Sequence, residues 1–414
     1  MSASSGIPSA QTKASFNYGY VMVVAGFVIL LLNVGMLVAI GVFFKPILNE
    51  FGWTRAITSG PISLSYLVSG VVYIFSGILA DRFGPRKVIT ALVIIMGLGF
   101  LLMSQVSSIW QIYLFYGVLI GTGASASVPI FAVVPRWFDK NRTVMVGIVT
   151  AGGGAGGLIM PFIATWLLTF INWHQAYLVL GAIYIVIALV AAQFFKRSPA
   201  EIAALEKPKS SASLPIKSSG SLSSLLTSLK FWLVFIIAFA FGYLVNTIQI
   251  HMVNHATDIH ISANSAAALL AVINGASLVG SIVLGSMGDK FGNKKLFVYT
   301  FAALAACFLF ILVAKDLWML YTFTVIFGLA FGSGLANTPA LVAEVYGVKS
   351  LGLILGLTYL AYCLGGSLGG LIAGYIFDLQ ASYSLSFIIC AVLAVVSVLI
   401  TLALRTTSTK SKVS

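Results

Sequence analysis

Long apolar runs, separated by short polar, glycine-rich or basic segments, make up nearly the whole chain. Each run reaches about 20 residues, the length that a helix needs to cross a lipid bilayer. Ten-residue segments of alternating polar and apolar residues, which are typical of membrane β-strands, are absent from the sequence. The pattern therefore predicts twelve membrane-spanning helices, at 18–47, 57–80, 88–106, 109–135, 143–170, 175–195, 229–255, 264–288, 296–314, 317–343, 350–376 and 383–404.

One polar segment occurs twice. The first copy, GILADRFGPRK, runs from Gly77 to Lys87, and the second, GSMGDKFGNKK, begins about 208 residues later at Gly285. In each copy the Asp can accept hydrogen bonds from a helix N-terminus, and the Phe-Gly pair can turn the backbone tightly. A repeat at half the chain length implies two homologous halves. We therefore predict an all-α polytopic membrane protein of two pseudo-symmetric six-helix bundles.

Polar stretches lie at both ends of the chain and between the two predicted bundles. They are rich in Ser, Lys and Pro and have little apolar character. The predicted organisation is a cytoplasmic tail, an N-terminal bundle, a cytoplasmic linker, a C-terminal bundle and a second cytoplasmic tail, at 1–17, 18–197, 198–227, 228–405 and 406–414 respectively.

The composition places this chain in a membrane, and its charge distribution predicts the topology. The 414 residues are 60% hydrophobic and only 8% charged, with a formal net charge of +13. If the N-terminus is cytoplasmic, only Lys45, Arg55 and Lys315 of the 23 basic residues fall on the outer side. This bias follows the positive-inside rule, so the basic excess indicates topology and not a nucleic-acid partner. We predict an integral protein of a bacterial inner membrane with both termini cytoplasmic.

No catalytic or cofactor-binding motif is present in the sequence. It has no phosphate-binding loop, no metal-binding His-Glu helix and no nucleophile elbow. Cys307, Cys363 and Cys390 lie in separate predicted spans and are interpreted as buried apolar fillers. We therefore predict that the chain is not an enzyme and has no cofactor or metal, so that an ion gradient is the available energy source.

Several polar residues interrupt the apolar spans. Asn33 in the first span either faces a cavity or hydrogen-bonds a neighbouring helix. Lys45 at the outer end of that span either snorkels to water or reaches into a cavity. His251 belongs to a stripe that recurs every four residues, and it either titrates near neutral pH or bridges helices as a neutral side chain. Polar positions also follow one face of the eighth span and one face of the tenth, at Asn274, Ser277, Ser281, Ser333 and Asn337.

A second group of charged residues lies at the cytoplasmic ends of the spans. Asp81 and Asp289 are interpreted as gate and packing residues of the two motifs. Glu344 either has a role with protons, closes the inner gate, or pairs with Arg136 or Arg142. The predicted gate residues are Asp81, Arg82, Arg86, Asp289, Lys290 and Glu344.

The repeated motif resembles the loop between helices 2 and 3 of the major facilitator superfamily, and its second copy resembles the loop between helices 8 and 9. Phe43-Phe44-Lys45, followed by Phe51-Gly52-Trp53-Thr54-Arg55, is similar to the monocarboxylate transporter family. The resemblance implies alternating access and proton-coupled symport of a small monocarboxylate such as lactate or pyruvate. It also implies that Lys45 reaches into the outward-open cavity.

The resemblance fails in the eighth span. The family typically has an Arg four residues before the Gly that opens the second motif, and often an acidic or amide residue one turn earlier. Ser281 and Ser277 stand at these positions. A neutral hydroxyl holds a carboxylate more weakly than a guanidinium does. Two alternatives therefore stay open: transport of a neutral or zwitterionic substrate, amino-acid-like or aromatic, and a non-transporting membrane receptor.

The working hypothesis gives each candidate residue a role. Lys45 and His251 attract the anion and are the proton-coupling candidates. The predicted substrate-binding set is Asn33, Lys45, Tyr116, His251, Asn274, Ser277, Ser281, Asn337 and Tyr362. The expected partners are a small-molecule substrate, protons and the lipid bilayer, and the expected functional form is a monomer.

Overall fold

The computed structural model describes residues 18–52, 55–138, 140–197, 227–347 and 351–404. These residues form twelve helices that are long and apolar enough to cross a membrane, which confirms the predicted fold class. The predicted tails and nearly all of the predicted linker lie outside the described residues. In chain order the helices α1 to α12 are Gly19–Phe51, Arg55–Phe83, Pro85–Met103, Ile109–Trp137, Arg142–Leu167, Trp173–Ala192, Leu229–Asp258, Ala263–Phe291, Asn293–Ile311, Leu317–Tyr346, Leu351–Gln380 and Ser384–Ala403.

The helix α4 is irregular, although the sequence predicts one continuous span. It contains a π-helical segment at Tyr113–Ile120 and a turn at Ser125. Pro129 has no N–H to donate to the carbonyl of Ser125, four residues earlier, so the regular ladder cannot continue there. The hydroxyl of Ser76 on α2 donates to that carbonyl at 3.4 Å instead.

The same kind of helix contact builds each half of the molecule. In the N-terminal half α1 packs along α5, and in the C-terminal half α7 packs along α11. A Cβ atom added at Gly156 of α5 would clash with the carbonyl oxygen of Leu31, and one added at Gly365 of α11 would clash with that of Phe239. Only glycine allows these close backbone approaches, as in many membrane helix pairs.

Both copies of the repeated motif end a long helix and begin the next one through the same turn. Gly84 follows α2 with φ 93°, and Gly292 follows α8 with φ 91°, a conformation that favours glycine. Both turns lie at one end of the bundles, which we call the motif end; the other end is called the opposite end. The two bundles meet through α2 with α11 and through α5 with α8.

Candidate functional site

The second motif joins the two bundles at the motif end. The carboxylate of Asp289, at the end of α8, accepts hydrogen bonds from the backbone N–H groups of Thr143 and Val144, both at 3.1 Å. These residues begin α5, and the first N–H groups of a helix have no partner within it. The Thr143 hydroxyl also donates to the side-chain oxygen of Asn293 at 3.1 Å. A carboxylate of the C-terminal bundle therefore caps a helix of the N-terminal bundle, an interaction that the motif predicts.

The first motif makes contacts within its own bundle and with the other one. Asp81 pairs with Arg136 at the end of α4, with 2.9 Å between the side-chain nitrogen and oxygen. Arg197, after α6, donates to the backbone oxygen of Asp81 at 3.3 Å. On the side of the other bundle, a Cβ atom at Gly77 would clash with the carbonyl oxygen of Gly352 on α11, and a Cβ atom at Gly352 would lie 2.8 Å from Oδ2 of Asp81.

The other predicted gate residues lie around these two contacts. The Arg82 guanidinium lies 5.2 Å from the ring centre of Phe83. Arg86 donates to the side-chain oxygen of Gln193, with distances of 2.8 and 2.6 Å from its Nε and Nη2 atoms. Lys290 is exposed at the end of α8. Glu344 accepts a hydrogen bond from the backbone N–H of Asn293 at 3.2 Å, so it supports the turn of the second motif.

A cleft opens between the bundles above these contacts. Tyr66, Gly70, Tyr73 and Gly77 share one face of α2, because they lie three or four residues apart. The helix α11 covers this face at Gly70, Tyr73 and Gly77. The helix α11 does not cover Tyr66, the next residue of this face, which is 46% exposed. The bundles are therefore joined at the motif end and separate towards the opposite end.

The helices α1, α5 and α8 line the other side of the cleft. A Cβ atom at Gly157 of α5 would lie 3.7 Å from Val38 of α1 and 3.8 Å from the side-chain oxygen of Asn274 of α8. Val38 is 40% exposed, and none of the described residues comes within 4 Å of a Cβ atom at Gly41. By helical register Lys45 follows Gly41 one turn later on the same face of α1. Its side chain lies outside the described part of the structure.

Sequence analysis missed the tyrosines that form the floor of this cleft. One turn towards the motif end from Tyr66, a Cβ atom at Gly70 would lie 3.2 Å from the Cβ atom of Cys363 on α11, the residue next to Tyr362. Below it, the ring centre of Tyr73 lies 5.6 Å from that of Tyr359 across the bundle interface. The signal was present in the sequence: Tyr66 and Tyr73 are seven residues apart, on the glycine face of α2.

Three of the predicted substrate-binding residues lie at or next to the cleft. The Tyr116 hydroxyl is buried and donates to the backbone oxygen of Leu37 at 3.2 Å. Tyr362 is partly exposed, and its ring centre lies 6.0 Å from that of Phe241. Asn274 is partly exposed, and its amide nitrogen donates to the backbone oxygen of Leu270 at 2.9 Å. Each has polar atoms near the space between the bundles.

The two serines of α8 are buried in helix contacts. The Ser277 hydroxyl donates to the backbone oxygen of Asn274, and that of Ser281 donates to the backbone oxygen of Leu278, both at 2.8 Å. Ser281 is 1% exposed, because α5 crosses α8 there with Gly147 against its backbone. These hydroxyl groups do not face open space in this conformation, and their contact with the substrate stays a prediction.

Asn337 lies deeper still, beside the second motif. It is fully buried, and a Cβ atom at Gly288 would lie 2.6 Å from its side-chain oxygen. Within the described part of the chain, neither polar atom of this amide has a hydrogen-bond partner. Asn337 thus lies beside the contact at the motif end, and its contact with the substrate stays a prediction.

Asn33 is hydrogen-bonded inside the N-terminal bundle. Its side-chain oxygen accepts a hydrogen bond from the Tyr184 hydroxyl of α6 at 2.7 Å, and Asn33 is 3% exposed. The sequence leaves two roles open for Asn33, a cavity-facing side chain and a hydrogen bond between helices. The observed geometry matches the second.

His251 likewise bridges helices inside the C-terminal bundle. Its Nε2 atom lies 2.9 Å from the backbone oxygen of Gly370 on α11, and its Nδ1 atom lies 3.2 Å from the Tyr383 hydroxyl before α12. The carbonyl can only accept, so Nε2 carries the hydrogen and Nδ1 is free to accept from the tyrosine. The neutral imidazole therefore satisfies both contacts without an added proton.

A carboxylate at the opposite end ties the N-terminal bundle together. Glu50 accepts hydrogen bonds from Nε2 of His174 at 2.9 Å and from the indole N–H of Trp173 at 2.5 Å. The His174 bond and, to a smaller extent, the Trp173 bond hold the pKa of the Glu50 carboxyl below its ordinary value. This network does not reach the other bundle.

These features give a cleft with an uncharged polar floor, closed at one end by contacts between the two bundles. Such an arrangement suits a small solute that enters from the opposite end and leaves when the motif end opens. Among the described residues, no three His, Cys, Asp or Glu side chains come together as a metal site requires.

Comparison with known proteins gives a consistent match. The family model described as Major Facilitator Superfamily matches residues 23–255 and 231–414. Similar proteins include the uncharacterized MFS-type transporter YcxA of Bacillus subtilis, 24% identical, with 87% of this chain and 88% of that protein aligned. Monocarboxylate transporter 13 of Bos taurus is 28% identical over 93% of this chain and 89% of its own length. The agnestins efflux protein AgnL12 of Paecilomyces divaricatus is 27% identical over 92% of this chain and 86% of its own length.

Proposed function

Because this chain belongs to the major facilitator superfamily, whose members are transporters and not enzymes, we propose that it carries a small monocarboxylate, such as lactate or pyruvate, across the membrane together with a proton. The observation that carries this proposal is the cleft, open away from the motif end, with Lys45 on the cleft face of α1 by register. The relatives named as monocarboxylate transporters support the same substrate class.

The chemistry of Lys45 accounts for both the anion and the proton. A proton on Lys45 creates the positive charge that attracts a carboxylate, and the resulting pair is close to neutral. Enclosing a neutral pair in a low-dielectric interior costs far less than enclosing either charge alone, so the bundles change conformation with substrate and proton both bound. The proton crosses when Lys45 releases it on the cytoplasmic side together with the substrate.

The remaining cleft residues hold the substrate. Tyr66, Tyr362 and Asn274 offer neutral hydrogen-bond groups around the floor. His251 acts by positioning, because its bonds to α11 and to Tyr383 hold the C-terminal bundle together. The serines of α8 reach the substrate only when α5 moves away from α8.

The charge distribution supports an orientation in which the motif end faces the cytoplasm. The basic residues concentrate at the motif end, so we assign this end and both termini to the cytoplasm of a bacterial cell. The cleft then opens to the outside. One chain contains both bundles and the whole cleft, so the transporting unit is a monomer embedded in the inner membrane.

The test is uptake of labelled L-lactate into proteoliposomes with an imposed inward proton gradient. We expect uptake by the wild-type chain and its loss in Lys45→Ala. Lys315→Ala removes an exposed lysine at the start of α10 and serves as the matched control, with uptake unchanged. His251→Gln keeps a donor for Gly370 and should retain most of the rate. Equal uptake by Lys45→Ala and wild type would contradict the assignment.

A second candidate is transport of a neutral or zwitterionic substrate. It is favoured by Ser281 standing where the related family typically has an Arg, and by the absence of Lys and Arg from the sequence between Lys230 and Lys290. Inhibition of transport by neutral analogues, with carboxylates inactive, would establish this candidate in place of the first.

A further inference from the structure

Polar bonds hold the end of α1 at the opposite end of the N-terminal bundle. The last turn of α1 carries Glu50, which accepts hydrogen bonds from His174 and Trp173 at the start of α6. The other ring nitrogen of His174, Nδ1, lies 2.8 Å from the backbone oxygen of Ser104, directly after α3. One imidazole therefore connects three helices of this bundle.

The bonds of His174 need one proton more than a neutral imidazole and a carboxylate hold. The carbonyl oxygen of Ser104 can only accept, so Nδ1 of His174 donates to it. An ionised carboxylate also only accepts. The bond between Nε2 and Oε1 of Glu50, at 2.9 Å, therefore needs a second hydrogen, on the imidazole or on the carboxyl. In both cases one added proton lies between His174 and Glu50.

His251 shows the other bonding pattern in the same molecule. Its Nε2 atom donates to the Gly370 carbonyl, and its Nδ1 atom faces the Tyr383 hydroxyl, which can donate. A neutral imidazole satisfies both of these contacts, whereas His174 has an acceptor on each side. Histidine is the side chain whose charge ordinarily changes between about pH 5 and 8. The bonds of His174 therefore depend on a proton that can be gained and lost near neutral pH.

Few other charges lie near this proton. At the opposite end of the N-terminal bundle, the residues of the sequence that can be charged near neutral pH are Lys45, Glu50, Arg55 and His174. The side chains of Lys45 and Arg55 lie outside the described part of the structure. From α3 and from its own helix, His174 faces neutral groups, the Ser104 carbonyl and the Trp173 ring, whose centre lies 3.7 Å away. Among the described residues, Glu50 is therefore the charged group that faces it.

The helix α1 has a weak point next to these bonds. Pro46 lies inside α1 and has no N–H to donate to the carbonyl of Val42, four residues earlier. The last turns of α1 are therefore held less by their own helix and more by α6. The contacts with α6 are the Glu50 bonds and the ring of Phe51, whose centre lies 6.2 Å from that of Trp173.

We propose that His174 and Glu50 form a proton-binding site, which we call the proton clasp, and that loss of its one proton releases the end of α1 from α6. Without this proton a lone pair on Nε2 faces the carboxylate, and the two repel each other. The clasp is therefore closed at lower pH and is released as the pH rises. Gly41, on the cleft face of α1, lies five residues before Pro46, so the released segment borders the cleft. The clasp acts in the same way whatever solute the cleft binds.

The experiment measures the mobility of a spin label on Asn49→Cys, at an exposed position of the last turn of α1, in the full chain in nanodiscs. Cys307, Cys363 and Cys390 are buried, so the label attaches to the new thiol. We expect the ratio of mobile to immobile label to rise about threefold between about pH 5.5 and about pH 8.5, the effect of one partly exposed ion pair.

Two variants of His174 should remove the pH response in opposite ways. His174→Arg keeps a charged donor at every pH, so the label should stay immobile throughout. His174→Phe keeps a ring beside Trp173 but has no donor, so the label should be mobile throughout. His260→Asn is the matched control, because His260 is an exposed histidine at the same end of the other bundle, and it should keep the wild-type response.

Two results would overturn the proposal. One is a label mobility that does not change with pH in the chain that keeps His174. The other is a pH response that persists in His174→Arg, because another group would then control the end of α1. Neither result bears on the proposed transport of a monocarboxylate, which uptake measures separately.

Discussion

The two copies of the repeated motif share a sequence pattern and a turn, and each places its carboxylate at the start of a helix of the other bundle; they differ in what else holds that carboxylate. Asp81 lies against Gly352 at the start of α11 and pairs with Arg136 of its own bundle, whereas Asp289 accepts two backbone N–H groups of α5. The glycines of α4 and α10 repeat at an offset of 211, which aligns Arg136 with Gly347. The second half therefore has no arginine where the first half holds its carboxylate. The motif sequence determines the turn in both halves, and the residue that faces the carboxylate, Arg136 in the first half, determines whether the carboxylate also forms an ion pair.

The largest expected effect comes from the glycine at the contact between α5 and α8. Gly147→Ala places a methyl group against the Ser281 carbonyl oxygen, and overpacking of this kind costs about 1–3 kcal/mol. The motif end should open, which distances between spin labels at exposed Lys140 and Lys295 would report. Gly275→Ala, where nothing lies within 4 Å, is the control. An unchanged distance distribution in Gly147→Ala would mean that this contact does not hold the end closed.

Removing the charge from each motif sharpens the comparison. Asp289→Asn weakens a charged cap on α5, a loss of about 1–2 kcal/mol, and should shift the same label distances towards the open form. Asp81→Asn weakens the pair with Arg136 within one bundle and keeps a side chain of the same size against Gly352, so it should shift the distances less than Asp289→Asn does and mainly lower the thermal midpoint. Equal shifts in both variants would contradict the difference drawn between the two motifs.

Asn337 tests the packing beside the second motif. It is buried with both amide atoms unpartnered in the described part of the chain, and an unsatisfied buried polar group costs about 1–3 kcal/mol. Asn337→Leu has a similar volume and should stabilise the closed motif end by about 1 kcal/mol. Thermal unfolding in detergent measures this. A lowered midpoint would show that the amide has partners in the folded protein.

The smallest effect is expected at Glu50, whose hydrogen bonds to His174 and Trp173 stay within one bundle. Its pKa is lowered in the folded state, so its contribution to stability is present above the ordinary glutamate pKa of about 4.3. That contribution is lost as the pH falls through the lowered value. Glu50→Gln should therefore lower the thermal midpoint at pH 7 and not at strongly acidic pH. A difference that persists at acidic pH would contradict this origin.

The fold was predictable because membrane helices must be long and apolar, and the sequence shows twelve such runs. The helix ends were less predictable: α2 continues through Asp81 to Phe83, beyond the predicted end at 80. The π-helical segment around Tyr116 depends on its neighbours and left no pattern in the sequence.

The site was only partly predictable, because a polar residue in a span does not reveal its partner. Asn33 and His251 were candidates for the cleft, but their partners Tyr184 and Tyr383 lie 151 and 132 residues away. Ser281 stands at a position that matters in the related family, yet the crossing of α5 covers it here. Asn274 and Tyr362 were placed near the cleft by their spacing, and Tyr66 was overlooked although it shares the glycine face of α2.

The most direct test of proton-coupled monocarboxylate transport is the pH inside proteoliposomes after an inward gradient of L-lactate is imposed, with the membrane voltage clamped by potassium and valinomycin. The account predicts that the interior acidifies faster than in protein-free liposomes, and that Lys45→Ala removes the excess rate. Entry of labelled lactate through the protein with no acidification beyond the protein-free control would contradict the coupling of substrate to proton.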